Sequence, residues 1–187
     1  MADVFHRHMT QKVPSDPHWM YNCQAYCGAM LIHDATLGGV MVTGRIIRAL
    51  SSEPKPDPNS PGLNLTQIID VARSLYIPLD NRTGENWGAI EDALLQGRRV
   101  SLSVDYDEMG KYQAQKAGTF DHQLVLIRPA SEKDHTRASD PLASQSRVYP
   151  NDVLQQAARS LARRTGVSKG LRWACTRPVP LTATDFD

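Results

Sequence analysis

The apolar residues of this chain change their spacing once, and that change decides the class of fold available to it. Up to Gly97 they recur three and four positions apart; from Val100 onward they alternate with serine or run together. The first pattern builds helices, whose buried stripe repeats every 3.6 residues, and the second builds strands, whose faces repeat every two. Helices gathered in one half and strands in the other predict one α+β domain, with a helical half packed against a sheet half. A chain of 187 residues, 41% apolar and 22% charged, is long enough to bury such a core.

In the helical half, Cys23 to about Thr36 (CQAYCGAMLIHDAT) sets Ala25, Ala29, Leu31 and Ile32 at helical spacings, and Leu37-Gly38-Gly39 supplies a stop. A second helix is expected over 43–50, capped by Thr43, with Ile46, Ile47 and Leu50 on one face. Asn64 and Gln67 have the spacing of a capping box, followed by a face of Leu65, Ile68, Ile69, Ala72, Leu75 and Tyr76. A short helix runs from near Asn86 through Ile90 and Leu94 to Gly97. In the sheet half, Val100, Leu102 and Val104 predict a half-buried strand and Phe120 to Ile127 a more buried one. Arg147 to Tyr149 predicts a third strand, Asn151 to about Arg164 a helix with Gly166 past its end, and Leu171 to Thr176 an edge strand.

The segment Ser51 to Gly62 carries four prolines and is expected as an exposed loop. Residues 1–18 are polar and read as an N-terminal arm, with the triplet His6-Arg7-His8 solvated. Residues 19–176 form the domain and 177–187 a C-terminal tail. A balance of 21 Lys plus Arg against 20 Asp plus Glu leaves +1 net charge, so the basic stripe of a nucleic-acid module is missing. No apolar run approaches the roughly 18 residues of a membrane span, and the start lacks the apolar stretch of a signal peptide. Three cysteines, Cys23, Cys27 and Cys175, are too few for a disulfide scaffold. A cytoplasmic protein, or one assembled there into a particle, is expected.

Three residues stand where chemistry could be done. Cys23 follows the cap-competent Asn22 at the start of a helix, where unpaired N–H groups and the helix dipole favour a thiolate. His122 is embedded in an otherwise apolar strand, where a histidine needs a partner. Asp140 begins Asp140-Pro141 after the polar loop 131–139, where the chain could return beside that strand and orient the imidazole. Cys27 lies one turn further into the helix and is the alternative nucleophile. A zinc site from His18, Cys23, Cys27 and His33 lacks the usual ligand spacing, so no metal or cofactor is expected. Asp105, Asp107 and Glu108 lack the glycine and distal glutamate of a calcium loop and are expected as a solvated turn.

The order of these residues resembles the papain-like cysteine peptidases of the bacteriocin-processing, double-glycine-leader type. Cys23-Gln24-Ala25-Tyr26-Cys27-Gly28-Ala29-Met30 is similar to that family's Cys-Gly-Pro-Ala-Ser-Leu-Ala-Met at the cysteine and the closing Ala-Met. Gly62-Leu63-Asn64-Leu65, Gln96-Gly97-Arg98-Arg99-Val100, His122-Gln123-Leu124-Val125-Leu126 and Asp140-Pro141 follow in the family's order. The resemblance spans about residues 19–160. It implies a papain-like fold, with the nucleophile helix packed on a small antiparallel sheet. It also implies Cys23 as nucleophile, His122 as general base and acid, Asp140 as orienting group, and a peptide or protein substrate.

One position departs. The family carries a Gln about six residues before the nucleophile as an oxyanion donor, and here that position is Pro17. His18 and Asn22 are the candidates to replace it, alongside the Cys23 backbone N–H; if Cys27 were the nucleophile, Asn22 would be the donor. Two functions therefore stay open: an amide-hydrolysing cysteine peptidase, or a catalytically impaired peptidase-like fold serving as a structural subunit. The stretch Ala35-Thr36-Leu37-Gly38-Gly39 with Thr43-Gly44 also resembles short peptidase-like virion proteins of actinobacterial tailed phages. That likeness implies neighbouring virion subunits of a capsid, connector or tail as partners.

Overall fold

The computed structural model describes residues 6–15, 19–55, 62–115, 120–166 and 170–179. Pro17, His18, residues 56–61 of the proline-rich loop and residues 180–187 of the tail, which the sequence reading also covered, lie outside these. A single turn of 3₁₀ helix at Trp19–Tyr21 leads into α1, Cys23–Ala35, followed by α2, Gly44–Leu50, and α3, Leu65–Ser74. The strand β1, Asp80–Asn81, precedes α4, Trp87–Leu95; then come β2, Val100–Asp105, a 3₁₀ segment at Tyr106–Tyr112, and β3, Asp121–Pro129. The chain closes with β4, His135–Ser139, β5, Arg147–Pro150, α5, Asn151–Arg164, and β6, Trp173–Cys175. Among the described residues no helix is long and apolar enough to cross a membrane.

The six strands form one antiparallel sheet in the order β1-β6-β2-β3-β4-β5. Both of its faces are covered. Val100, Leu102, Leu124 and Leu126 pack with α4 and α5, while Val125 and Ala174 join the core of α1, α2 and α3. This double covering corrects the half-buried reading of β2, all six of whose residues are buried. Ser101 and Ser103, expected at a solvent face, instead bond the Gln123 side chain at 2.6 and 2.7 Å. Buried hydroxyls need such partners, and Gln123 has both a donor and an acceptor end to offer.

The helix caps follow the sequence. Asn64 and Gln67 close their capping box, Thr43 accepts from Ile46 N, and Asn86 accepts from Ala89 N. Gly97 and Gly166 end α4 and α5 at φ +75° and +73°, a conformation glycine adopts without strain. Several expectations are corrected. On α2 only Ile47 of the expected apolar face is buried, and Ile46 and Leu50 are exposed. Tyr76 leaves α3 at φ +61° and is 95% exposed rather than continuing its face. The segment Leu171 to Thr176 is not an edge, because β6 lies between β1 and β2. The loop 131–139 does return beside the His122 strand, but as β4. Asp105 is buried and accepts from Ser160 Oγ at 3.0 Å, so it is no solvated turn.

The N-terminal arm lies against the body from His6 onward. His6 Nδ1 meets Asp34 Oδ2 at 2.7 Å and its Nε2 meets Ser139 Oγ at 2.6 Å. His8 bonds Ser139 Oγ at 3.1 Å and Ala143 O at 3.0 Å, and Gln11 N donates to Pro141 O at 2.8 Å. The expectation that the histidine triplet is solvated fails for His6 and His8; only Arg7 of the three is exposed.

Candidate active site

Cys23 is the first residue of α1. The preceding Asn22 has helix-approaching torsions, φ −106° and ψ 11°, and makes no side-chain cap. Its Oδ1 accepts from Arg48 Nε of α2 at 2.6 Å, and the same guanidinium donates to Tyr21 O at 2.7 Å. The arginine thus fixes the approach to α1, and the Asn22 side chain caps none of the first amides of the helix. That leaves the positive end of the helix directed at Cys23, the place where a sulfur anion or an oxyanion gains most.

Cys23 opens onto a cleft of about 580 Å³, walled by Trp19, Met20, Tyr21, Leu63 and Phe120 and shared with His122. His122 enters from β3, where it pairs with Val104, and is 2% exposed. Its Nε2 lies 2.7 Å from Asp140 Oδ1, and its Nδ1 is buried without a hydrogen-bond partner among the described residues. Burial alone lowers the proton affinity of this imidazole. The Asp140 carboxylate and the neighbouring Cys23 more than reverse that, and the pKa is raised to about 9. Asp140 follows β4 and is fully buried. Burial raises its pKa, but hydrogen bonds and the charge of His122 outweigh this and hold it below the usual carboxylate range.

Cys23 and His122 thus face one cleft, and Asp140 bonds the His122 ring from behind. Cys27 is fully buried, and its Sγ donates to Gln123 O at 3.3 Å. Burial first, and the adjacent Cys23 second, push its thiol pKa well up, so it is held as a neutral donor. Asn22 faces Arg48 with its oxygen. Gln11 is buried and spends its side-chain amide on the carbonyls of Trp19 and Met20, at 2.9 and 3.4 Å.

Sequence reasoning missed two parts of the site. Tyr106, the residue after β2, stacks on the His122 ring with centroids 4.4 Å apart and donates to Asp140 Oδ2 at 2.6 Å. Gln24, next to Cys23 in the cleft wall, donates to Gln123 Oε1 at 2.7 Å and so ties α1 to β3 across the sheet. An aromatic directly after a buried strand was the one available signal for Tyr106; for Gln24 there was none beyond its place beside Cys23.

No protein-family model matches this chain, and no curated protein matches it by sequence. Solved structures do. A C39-like peptidase from Bacillus anthracis superposes with a TM-score of 0.61 at 13% identity, over 91% of this chain and 93% of that one. The peptidase domain of Streptococcus ComA, a bifunctional ABC transporter of a quorum-sensing pathway, gives 0.57 at 14% identity, over 91% and 96%. The fold is that of the C39-like peptidases. At this identity the likeness carries the papain-like fold, and the chemistry has to be argued from the residues.

Proposed function

We propose that the protein is a cysteine peptidase in which Cys23 attacks a peptide carbonyl, His122 exchanges the proton and Asp140 orients the ring. The observation that carries this reading is the orientation of His122. Its Nε2 is held by Asp140 at 2.7 Å, which leaves the buried Nδ1 as the ring nitrogen for Cys23. The attacking form is the sulfur anion, with the proton it gave up held on the imidazole. Attack forms a tetrahedral intermediate whose oxyanion falls to the backbone amides at the start of α1, the Cys23 N–H first among them. Imidazolium Nδ1–H protonates the leaving amine, and the C–N bond breaks to give a thioester. Water gives a proton to the now neutral imidazole as it attacks, and cleavage of the thioester releases the acid and returns the sulfur anion with the proton held on the imidazole.

A second reading is supported by the oxyanion side. This chain has Pro17 where the resembled family has its oxyanion Gln, and Gln11, the next glutamine upstream, turns its amide to backbone carbonyls; loss of one oxyanion donor costs on the order of 100- to 1000-fold in rate. A peptidase-like subunit of a virion or another assembly would keep this fold with impaired chemistry. The two readings separate in one experiment. Iodoacetamide alkylation is followed against pH for each cysteine by peptide mass spectrometry, on the native protein and on His122→Ala. The peptidase reading expects Cys23 to label first at neutral pH and to slow at least about tenfold in the variant. Equal, slow labelling of all three cysteines in both proteins would leave the structural subunit as the reading, and fast labelling of Cys27 would move the nucleophile.

A further inference from the structure

The Asp140 carboxylate has more partners than orienting a histidine requires. Oδ1 accepts from His122 Nε2 at 2.7 Å and from Leu142 N at 2.8 Å; Oδ2 accepts from the Tyr106 hydroxyl at 2.6 Å. The direction of the last bond follows from counting donors. A phenol has one proton to give, and Tyr106 Oη already accepts from Ala114 N at 2.8 Å. Its own proton therefore goes to Asp140, whose carboxylate must be ionised to receive all three donors. Burial and the neighbouring carboxylate hold the Tyr106 phenol protonated far above its ordinary pKa, so this donor does not switch off.

The same tyrosine reaches two other parts of the site. Its fully buried ring packs between His122, with centroids 4.4 Å apart, and Phe120, at 5.1 Å. The chain that leaves it folds back through the 3₁₀ segment so that Gln113 Nε2 donates to the Tyr106 carbonyl, and the next residues reach Gln115, which lines the cleft. We infer that Tyr106 is a positioning residue of the site: it fixes the ionised Asp140 carboxylate behind His122 and ties that carboxylate to the backbone at Ala114, the neighbour of the cleft-lining Gln115. The inference rests on the reading of Cys23, His122 and Asp140 as a catalytic triad. Without the hydroxyl, Oδ2 loses its donor in a dry site, the carboxylate is free to turn, and the imidazole is held for Cys23 less firmly. The other titratable groups turned toward Asp140 are His8 of the arm, the Cys27 thiol and Tyr149, whose hydroxyl is buried without a partner among the described residues.

The test is a double-mutant cycle read on alkylation of Cys23, which needs no substrate. Tyr106→Phe keeps the ring and removes the hydroxyl. It should slow Cys23 labelling at pH 7 about tenfold, as expected for one hydrogen bond to a charged group. The acid midpoint of the labelling profile should move up by roughly half to one pH unit. In an Asp140→Asn background the same substitution should change the rate by less than about twofold, because the hydroxyl acts through the carboxylate. Equal effects in both backgrounds, or an unshifted midpoint in Tyr106→Phe, would overturn the positioning role while leaving the triad standing. Wild-type labelling that ignores His122→Ala would instead remove the triad itself. Should Tyr106→Phe not fold, the native protein carries the test. The buried Tyr106 hydroxyl proton should give a slowly exchanging, downfield NMR signal that shifts in Asp140→Asn, and a signal that does not shift overturns the inference.

Discussion

His122 ties the proposed chemistry to stability, because its proton is held by the fold. Its pKa is raised to about 9, against roughly 6.5 in an unfolded chain. Between those values the native protein binds a proton that the unfolded one has released. The stabilisation is therefore complete below about pH 6.5 and is lost as pH rises through 9, with a slope approaching about 1.4 kcal/mol per pH unit. Urea midpoints measured from pH 6 to 9 should fall accordingly, and His122→Ala should flatten that slope whatever it does to the absolute stability. At the acid end Asp140 acts in the opposite sense, stabilising above the ordinary carboxylate range and ceasing to do so as pH falls through its lowered pKa. In the sequence His122 stands out as a titratable group in an apolar strand that needs a partner, and Asp140 only as a carboxylate placed where the chain could return beside that strand. Tyr106 was not legible, since an aromatic after a strand is also what a core requires, and only the position of its hydroxyl against Asp140 sets it apart. The same limit applied to Cys27, whose thiol pKa is pushed up chiefly by its complete burial, which spacing cannot reveal.

Elements with their own local signal were read correctly, and those defined by their neighbours were not. α3 announces itself by a capping box and an apolar stripe, and α4 and α5 by terminal glycines. β4 carries the sequence His-Thr-Arg-Ala-Ser, with no alternation of apolar residues, and is a strand because β3 and β5 flank it. β6 is interior only because the two-residue β1 pairs beyond it. α2 shows the same dependence. Its exposed Ile46 and Leu50 gave the wrong face, and what anchors it is the close approach of Gly44 to Tyr26 of α1. A Cβ built on Gly44 would lie 2.1 to 2.5 Å from three atoms of that ring, too close for any contact without movement. Gly44→Ala should therefore cost about 1–3 kcal/mol, the usual penalty of overpacking, visible as a lowered thermal midpoint. Because Arg48 of α2 holds Asn22 and Tyr21, the same variant should also slow Cys23 labelling at neutral pH. Unchanged labelling in a destabilised Gly44→Ala protein would show that α2 supports the fold without setting the approach to Cys23.

Across the whole molecule, the arm closes a chain of polar groups that runs behind the site. Arg99 meets Asp34 at 3.2 Å, Asp34 meets His6, His6 and His8 share the Ser139 hydroxyl, and Asp140 is the next residue. The histidines of the arm were expected to be solvated, because solvated and buried histidines look alike in sequence. Ala143 O can only accept, so His8 Nε2 carries a proton and donates to it. Burial, which dominates, lowers the His8 pKa, and in the neutral ring Nδ1 is left to accept the Ser139 hydroxyl proton. A histidine held neutral in the native state contributes stability above about pH 6.5 that is lost as pH falls through its lowered pKa, because the unfolded chain takes up the proton first. Acid should therefore loosen the arm before it unfolds the sheet. Hydrogen exchange followed by mass spectrometry from pH 7 to pH 5, corrected for intrinsic rates, should show the Gln11 amide, which donates to Pro141 O, losing protection while β2 and β3 keep theirs. His8→Gln cannot take up that proton, and its arm protection should be the same at both pH values. An arm that stays protected at pH 5 in the native protein would show that the Asp34–His6–Ser139 bonds hold it by themselves.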